Sequence, residues 1–282
     1  MCKDRIGFLK LMLIAITFVV CYLVTCPNSI IPSSAAAETS GSKSTSGAKT
    51  SGKNLTAPII DPKADQLLRE MGSLLKTAKH FYFTAEIMFD DLLPSDQKLQ
   101  FAAYEEISVE KPNRIFVEYL SDLGAKRFWY DGKTITLLAG GTNYYTSVKA
   151  APTIDKTLDD LIKEYGFSLP LSDFLYDDPY AILMDKVEAG IYVGLGDVNG
   201  ARCHHLAFVE KYIDWQIWIE DGKQKLPRKL VITYKTMPRS PQYIAVFSDW
   251  NFMKSLPASL FRAELPAKAV RVEFLNVTKK KN

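Results

Sequence analysis

From His80 onward the chain breaks into short stretches in which apolar and polar side chains alternate, and that period of two limits the fold more than any other feature. Phe81, Phe83, Ala85, Ile87 and Phe89 fall on one side of the first stretch, and Tyr82, Thr84, Glu86, Met88 and Asp90 on the other. This is the pattern of a strand with one face buried. Further strands are predicted at 100–110, 113–120, 125–130, 133–139, 143–149, 187–195, 201–210, 212–220, 227–235, 242–251 and 270–276. Asp131-Gly132, Asn199-Gly200 and Asp221-Gly222 mark hairpins, because these residues accept positive φ. Strands joined by such tight turns pair antiparallel with their neighbours.

Helices are few. Asp61 can cap a helix and Pro62 suits its first position, after which Ala64, Leu67, Leu68, Met71, Leu74, Leu75 and Ala78 form one apolar stripe. Ile154, Leu158, Leu161, Ile162 and Tyr165 mark a second helix, with Gly166 placed to end it. Ser172 and Asp178-Pro179 suggest two short helical turns. The expected class is α+β: a large curved antiparallel sheet, an open half-barrel, with helices packed on its concave side where their stripes can be buried. In the strand from Ile213 to Glu220, Ile213, Trp215, Ile217 and Ile219 make one face wholly apolar. That face is either core or the lining of a ligand cavity between sheet and helices.

The N-terminus reads as an address. Lys3 and Arg5 precede the apolar run Leu11 to Val24, and Ala35-Ala36-Ala37 offers a cleavage site, so residues 1–37 match a secretory signal peptide. An uncleaved anchor, lengthened through Ile31, and lipidation at Cys26 are the alternatives. Residues 38–58, rich in Ser, Thr, Gly and Lys, form a flexible linker with no apolar period. A single domain is expected over 59–278, followed by a basic tail at 279–282. Cys2, Cys21 and Cys26 precede this body and leave Cys203 its single thiol, so an internal disulfide is excluded there. Cys203 reads as a small buried apolar residue.

Charge excludes one class of partner. The net +3 is concentrated in the first 58 residues, which carry +4 and leave 59–282 at −1, so no basic field exists to grip nucleic acid. Chemistry is equally hard to find. His204 and His205 are neighbours on a strand and point to opposite faces, which does not suit a shared metal. The acidic pairs Asp90-Asp91, Glu105-Glu106, Asp159-Asp160 and Asp177-Asp178 read as solvated surface, because general acid/base work needs carboxylates converging across a cleft. Gly194 to Gly200 fails the dinucleotide pattern, and no nucleophile elbow, phosphate loop or zinc spacing is present. The expectation is a non-enzymatic protein without metal or cofactor.

Several blocks together resemble a known family. Asp214-Trp215-Gln216-Ile217-Trp218-Ile219, Leu226 to Ile232, Tyr130 to Lys133, Tyr165 to Leu171, His205 to Phe208 and Ser248-Asp249-Trp250 resemble the predicted periplasmic proteins of domain of unknown function 2092, over roughly residues 60–275. More distantly, Lys111-Pro112-Asn113, Asp131 to Thr134 and Phe261 to Pro266 are similar to lipoprotein carriers and lipid-binding lipoproteins of the LolA/LolB/LppX type. The resemblance implies a LolA-like half-barrel, a periplasmic location and an apolar cavity that holds acyl chains. It also implies a lid contact at Lys111, where the carriers have an arginine; lysine keeps the charge but loses the planar fork.

Together these readings predict an exported cell-envelope protein, a monomer, that binds a lipid or lipidated protein in its half-barrel and is in one version a carrier. Phe83, Ile87, Phe89, Ile115, Val117, Trp215, Ile217 and Ile219 are the expected cavity-facing residues. The alternative is a structural or interaction module that docks an envelope protein partner and fills the cavity with its own side chains.

Overall fold

In the computed structural model, which describes residues 60–167 and 169–273, helix α1 (Pro62–Thr77) comes first. The Asp61 carboxylate accepts from the Lys63 amide at 2.7 Å, and Pro62 at the first position has no N–H to leave unsatisfied. Ala64, Leu67, Leu68, Met71 and Leu75 are buried on the expected stripe. The signal peptide, linker and basic tail read from the sequence lie outside the described residues.

Among the described residues twelve strands follow in a single sheet: β1 (His80–Leu92), β2 (Lys98–Glu110), β3 (Arg114–Ser121), β4 (Gly124–Tyr130), β5 (Thr134–Ala139), β6 (Tyr144–Lys149), β7 (Val187–Val198), β8 (Ala201–Glu210), β9 (Asp214–Glu220), β10 (Pro227–Thr233), β11 (Gln242–Asn251) and β12 (Val270–Arg271). Their order is β12-β6-β5-β4-β3-β2-β1-β11-β10-β9-β8-β7. Two meanders, β1 to β6 and β7 to β11, are thus joined where β1 pairs antiparallel with β11. The last strand departs from expectation: it is two residues long among the described ones and pairs parallel with β6.

Residues 150–186 carry the chain from β6, near one edge, to β7 at the opposite edge. They hold helix α2 (Ile154–Tyr165), a 3-10 turn (Ser172–Phe174) and helix α3 (Pro179–Met184). Gly166 ends α2 with φ 69°, a left-handed conformation that glycine adopts without steric cost. This segment and α1 lie over the concave face. Phe174 meets Phe247 of β11 edge-on at 5.3 Å between ring centroids, and Ile154, Leu158, Leu161 and Leu183 join Leu68 and Met71 in one core with the sheet. Helices α1 and α3 touch so closely that a Cβ on Gly72 would stand 2.6 Å from the Tyr180 Cβ. The α+β class, the curved sheet and the helices on its inner side are as the sequence predicts.

Candidate functional site

Cross-strand pairing sorts the inner face of the sheet into rows. In one row Phe83 stands opposite Ile107, and Ile107 opposite Val117. In another, Ile87 pairs with Ala245, Ala245 with Leu230, and Leu230 with Ile217. All eight residues expected to face inward lie in the core or pack against it. They divide into two groups.

Phe83, Ile87, Ile115, Trp215, Ile217 and Ile219 are at most 3% exposed. Phe83 is stacked on Trp250 at 4.4 Å, and Trp215 on Phe208 at 4.2 Å, with its indole N–H donating to Glu210 at 3.1 Å. This floor is sealed beneath the helices. Two recesses, of about 280 Å³ beside Val198–Ala201 and Phe247 and about 250 Å³ between α2 and the β5–β6 edge, include none of the eight residues.

Phe89 and Val117 are different: both remain half-buried. Phe89 faces Phe101 at 5.7 Å between ring centroids and pairs with Tyr243, while Val117 pairs with Phe128, and Phe128 with Leu137. Each of these neighbours is also half-buried. The inner face therefore keeps an aromatic, partly open section that the helices do not seal.

A carboxylate stands in that section. Glu105 pairs with Ala85 on one side and Tyr119 on the other, and Tyr119 pairs with Lys126, so the four residues cross β1 to β4 on the inner face. This corrects the reading of Glu105 as solvated surface. Phe101, Ala103, Ile107 and Val109 share its parity along β2, and strand geometry places Glu105 among them, whereas Glu106 points outward opposite Thr84. Burial pushes the Glu105 carboxyl up to about 7, partly opposed by the field of Lys126. Burial also lowers Lys126, against the pull of Glu105, and raises the Tyr119 and Tyr243 phenols, both of which feel Glu105. The Lys126 ammonium lies 5.4 Å from the Tyr119 ring centroid. Such a wall can take up an apolar chain and offer it two opposite charges.

Asp90 also departs from the solvated reading. It is buried, accepts from the Gln242 amide at 2.9 Å and pairs with Lys98 at 3.0 Å, because β11 closes over its side of β1. Lys111 reaches the helical layer: its ammonium donates to the carbonyl oxygens of Tyr176 at 2.8 Å and Leu75 at 3.1 Å. His204 and His205 take opposite faces as expected. His204 lies between Tyr192 and Asp221, and His205 stacks on Trp218 at 4.0 Å.

Comparison with known proteins gives one family. A family model described as "Predicted periplasmic protein (DUF2092)" matches residues 64–275. No curated protein matches by sequence. Among solved structures, LprF from Mycobacterium bovis is 14% identical with a TM-score of 0.42, over 72% of this chain and 98% of that one. The lipoprotein LppX of Mycobacterium tuberculosis is 10% identical with a TM-score of 0.40, over 70% and 99%. A LolA superfamily protein from Nitrosomonas europaea is 8% identical with a TM-score of 0.36, over 71% and 97%.

Proposed function

The chain belongs to the DUF2092 family of predicted periplasmic proteins, and from that premise we propose that it is an exported, monomeric, non-enzymatic protein that shelters a lipid or other acyl-bearing ligand along the half-open section of its inner face. The leader read at residues 1–37 delivers it to the periplasm. The observation that carries the reading is the row of half-buried apolar and aromatic side chains, Phe89, Phe101, Val117, Tyr119, Phe128 and Leu137, left half-open on a concave wall. Each methylene laid on such a wall contributes roughly 0.8 kcal/mol. Eight of them give about 6 kcal/mol before the cost of association, enough for reversible holding. Phe83, Ile87, Ile115, Trp215, Ile217 and Ile219 join the ligand contact when the helical cover shifts, and Lys111 is the polar tie that holds that cover.

Native mass spectrometry of the protein, purified from an envelope fraction without detergent, tests this reading. A stoichiometric lipid adduct is expected. A clean apo mass, together with no uptake of a fluorescent fatty acid, would sink it.

One observation favours a second reading, an interaction module that docks an envelope protein partner: the six deep residues are packed into the core beneath the helices, and neither of the two recesses includes any of them. It would be supported by the same clean apo mass accompanied by a co-purifying envelope protein.

A further inference from the structure

Adjacent strands lie about 4.8 Å apart, so Glu105 and Lys126, two strands apart with Tyr119 between them, have backbones separated by roughly 10 Å. Each feels the other's charge, but no hydrogen bond joins them. Among the described residues Glu105 receives no hydrogen bond from any protein donor, and because no buried side-chain oxygen is left without a partner, its carboxylate keeps contact with solvent. A carboxylate partly drawn from water into an aromatic wall without a protein donor is costly. The missing donor for Glu105, and an acceptor for Lys126, therefore have to come from solvent or from whatever occupies the wall.

We propose that Glu105, Tyr119 and Lys126 form a head-group subsite for a zwitterionic amphiphile, the ligand's ammonium against Glu105, its anion against Lys126, and its acyl chain along Phe89, Phe101, Val117 and Phe128. This rests on the reading of the inner face as an acyl-binding wall. The charge pattern sets the class. A purely anionic head meets Lys126 but is repelled by Glu105, and a purely cationic head meets the reverse; a neutral head leaves both charges unanswered. A phosphoethanolamine head answers both, with its phosphate at Lys126 and its amine at Glu105.

The test is calorimetric titration of the full protein at pH 8 with three single-chain amphiphiles of equal chain length: lysophosphatidylethanolamine, lysophosphatidylglycerol and monoacylglycerol. The phosphoethanolamine lipid is expected to bind about tenfold tighter than either of the others, the scale of one charge-assisted hydrogen bond. Glu105→Gln and, separately, Lys126→Gln are each expected to reduce its affinity to that of monoacylglycerol. Equal binding of the three heads overturns the subsite but leaves the acyl-binding wall standing. A preference lost in Lys126→Gln but kept in Glu105→Gln overturns the zwitterion in favour of a simple anion. No binding of any of the three overturns both the subsite and the reading beneath it.

Discussion

The Lys111 ammonium donates to the Tyr176 carbonyl oxygen at 2.8 Å, joining the turn between β2 and β3 to the segment that leads into α3. The same group reaches the Leu75 carbonyl oxygen in the last turn of α1, where helix carbonyls lack intrahelical donors. One flexible side chain therefore ties both parts of the helical cover to the sheet.

Lys111→Met keeps the aliphatic stem and removes that tie. The variant is expected to lose about 1–3 kcal/mol of stability, since bonds to a charged group are broken and carbonyls lose a donor. Amide exchange should rise at the end of α1 and over residues 175–184. Exchange there as slow as in the parent protein would mean that packing alone holds the cover.

Glu105 makes stability depend on pH in a direction unusual for a carboxylate. Burial raises it to about 7 in the folded protein, above its ordinary range, while Lys126, Tyr119 and Tyr243 face it from β4, β3 and β11. The folded state binds the proton more tightly, so the contribution is fully present below the unfolded value and is lost as pH rises to about 7. Glu105→Gln should be the more stable protein at pH 8, by on the order of 2 kcal/mol, and should lose the advantage near pH 4.5. Urea denaturation at both values decides it: parallel curves would show that Glu105 does not titrate in this range.

Trp215 and Phe89 both face inward, yet their replacement should read out differently. Trp215→Ala empties a fully packed site and is expected to cost about 3–5 kcal/mol. Phe89→Ala, at a half-open position, should cost much less while reducing the lipid retained on purification. Full lipid retention by a folded Phe89→Ala protein would move the ligand away from this wall.

Cys203 is fully buried, and burial pushes its thiol up to about 11. Iodoacetamide at pH 8 should leave it unmodified until the protein is unfolded in urea. Rapid labelling under native conditions would reveal opening of the β8 region.

Local structure was largely legible because it is written in local chemistry. The alternating rows and Gly-containing turns located the strands, and Asp61-Pro62 and Gly166 marked helix ends through backbone rules that do not depend on the rest of the chain. The junction of β1 with β11 was not legible, since residues such as Ile87 and Ala245 carry no mark of each other. Nor could Trp215 and Phe89 be told apart: alternation says which way a side chain points but not whether a helix covers it. Glu105 was within reach. Its parity with Ile107 and Val109 was visible in the sequence, but the neighbouring Glu106 made the pair look like solvated surface.

The path of residues 150–186 has a mechanical consequence. A flat sheet of twelve strands would hold its outermost strands roughly 50 Å apart. Here the chain leaves beside one margin and re-enters at the other, having packed Phe174 against the middle of the arc. That segment is the string of a bow. Its span and its grip on the arc fix the sheet's curvature, so a change of length within it would widen or narrow the mouth of the half-barrel.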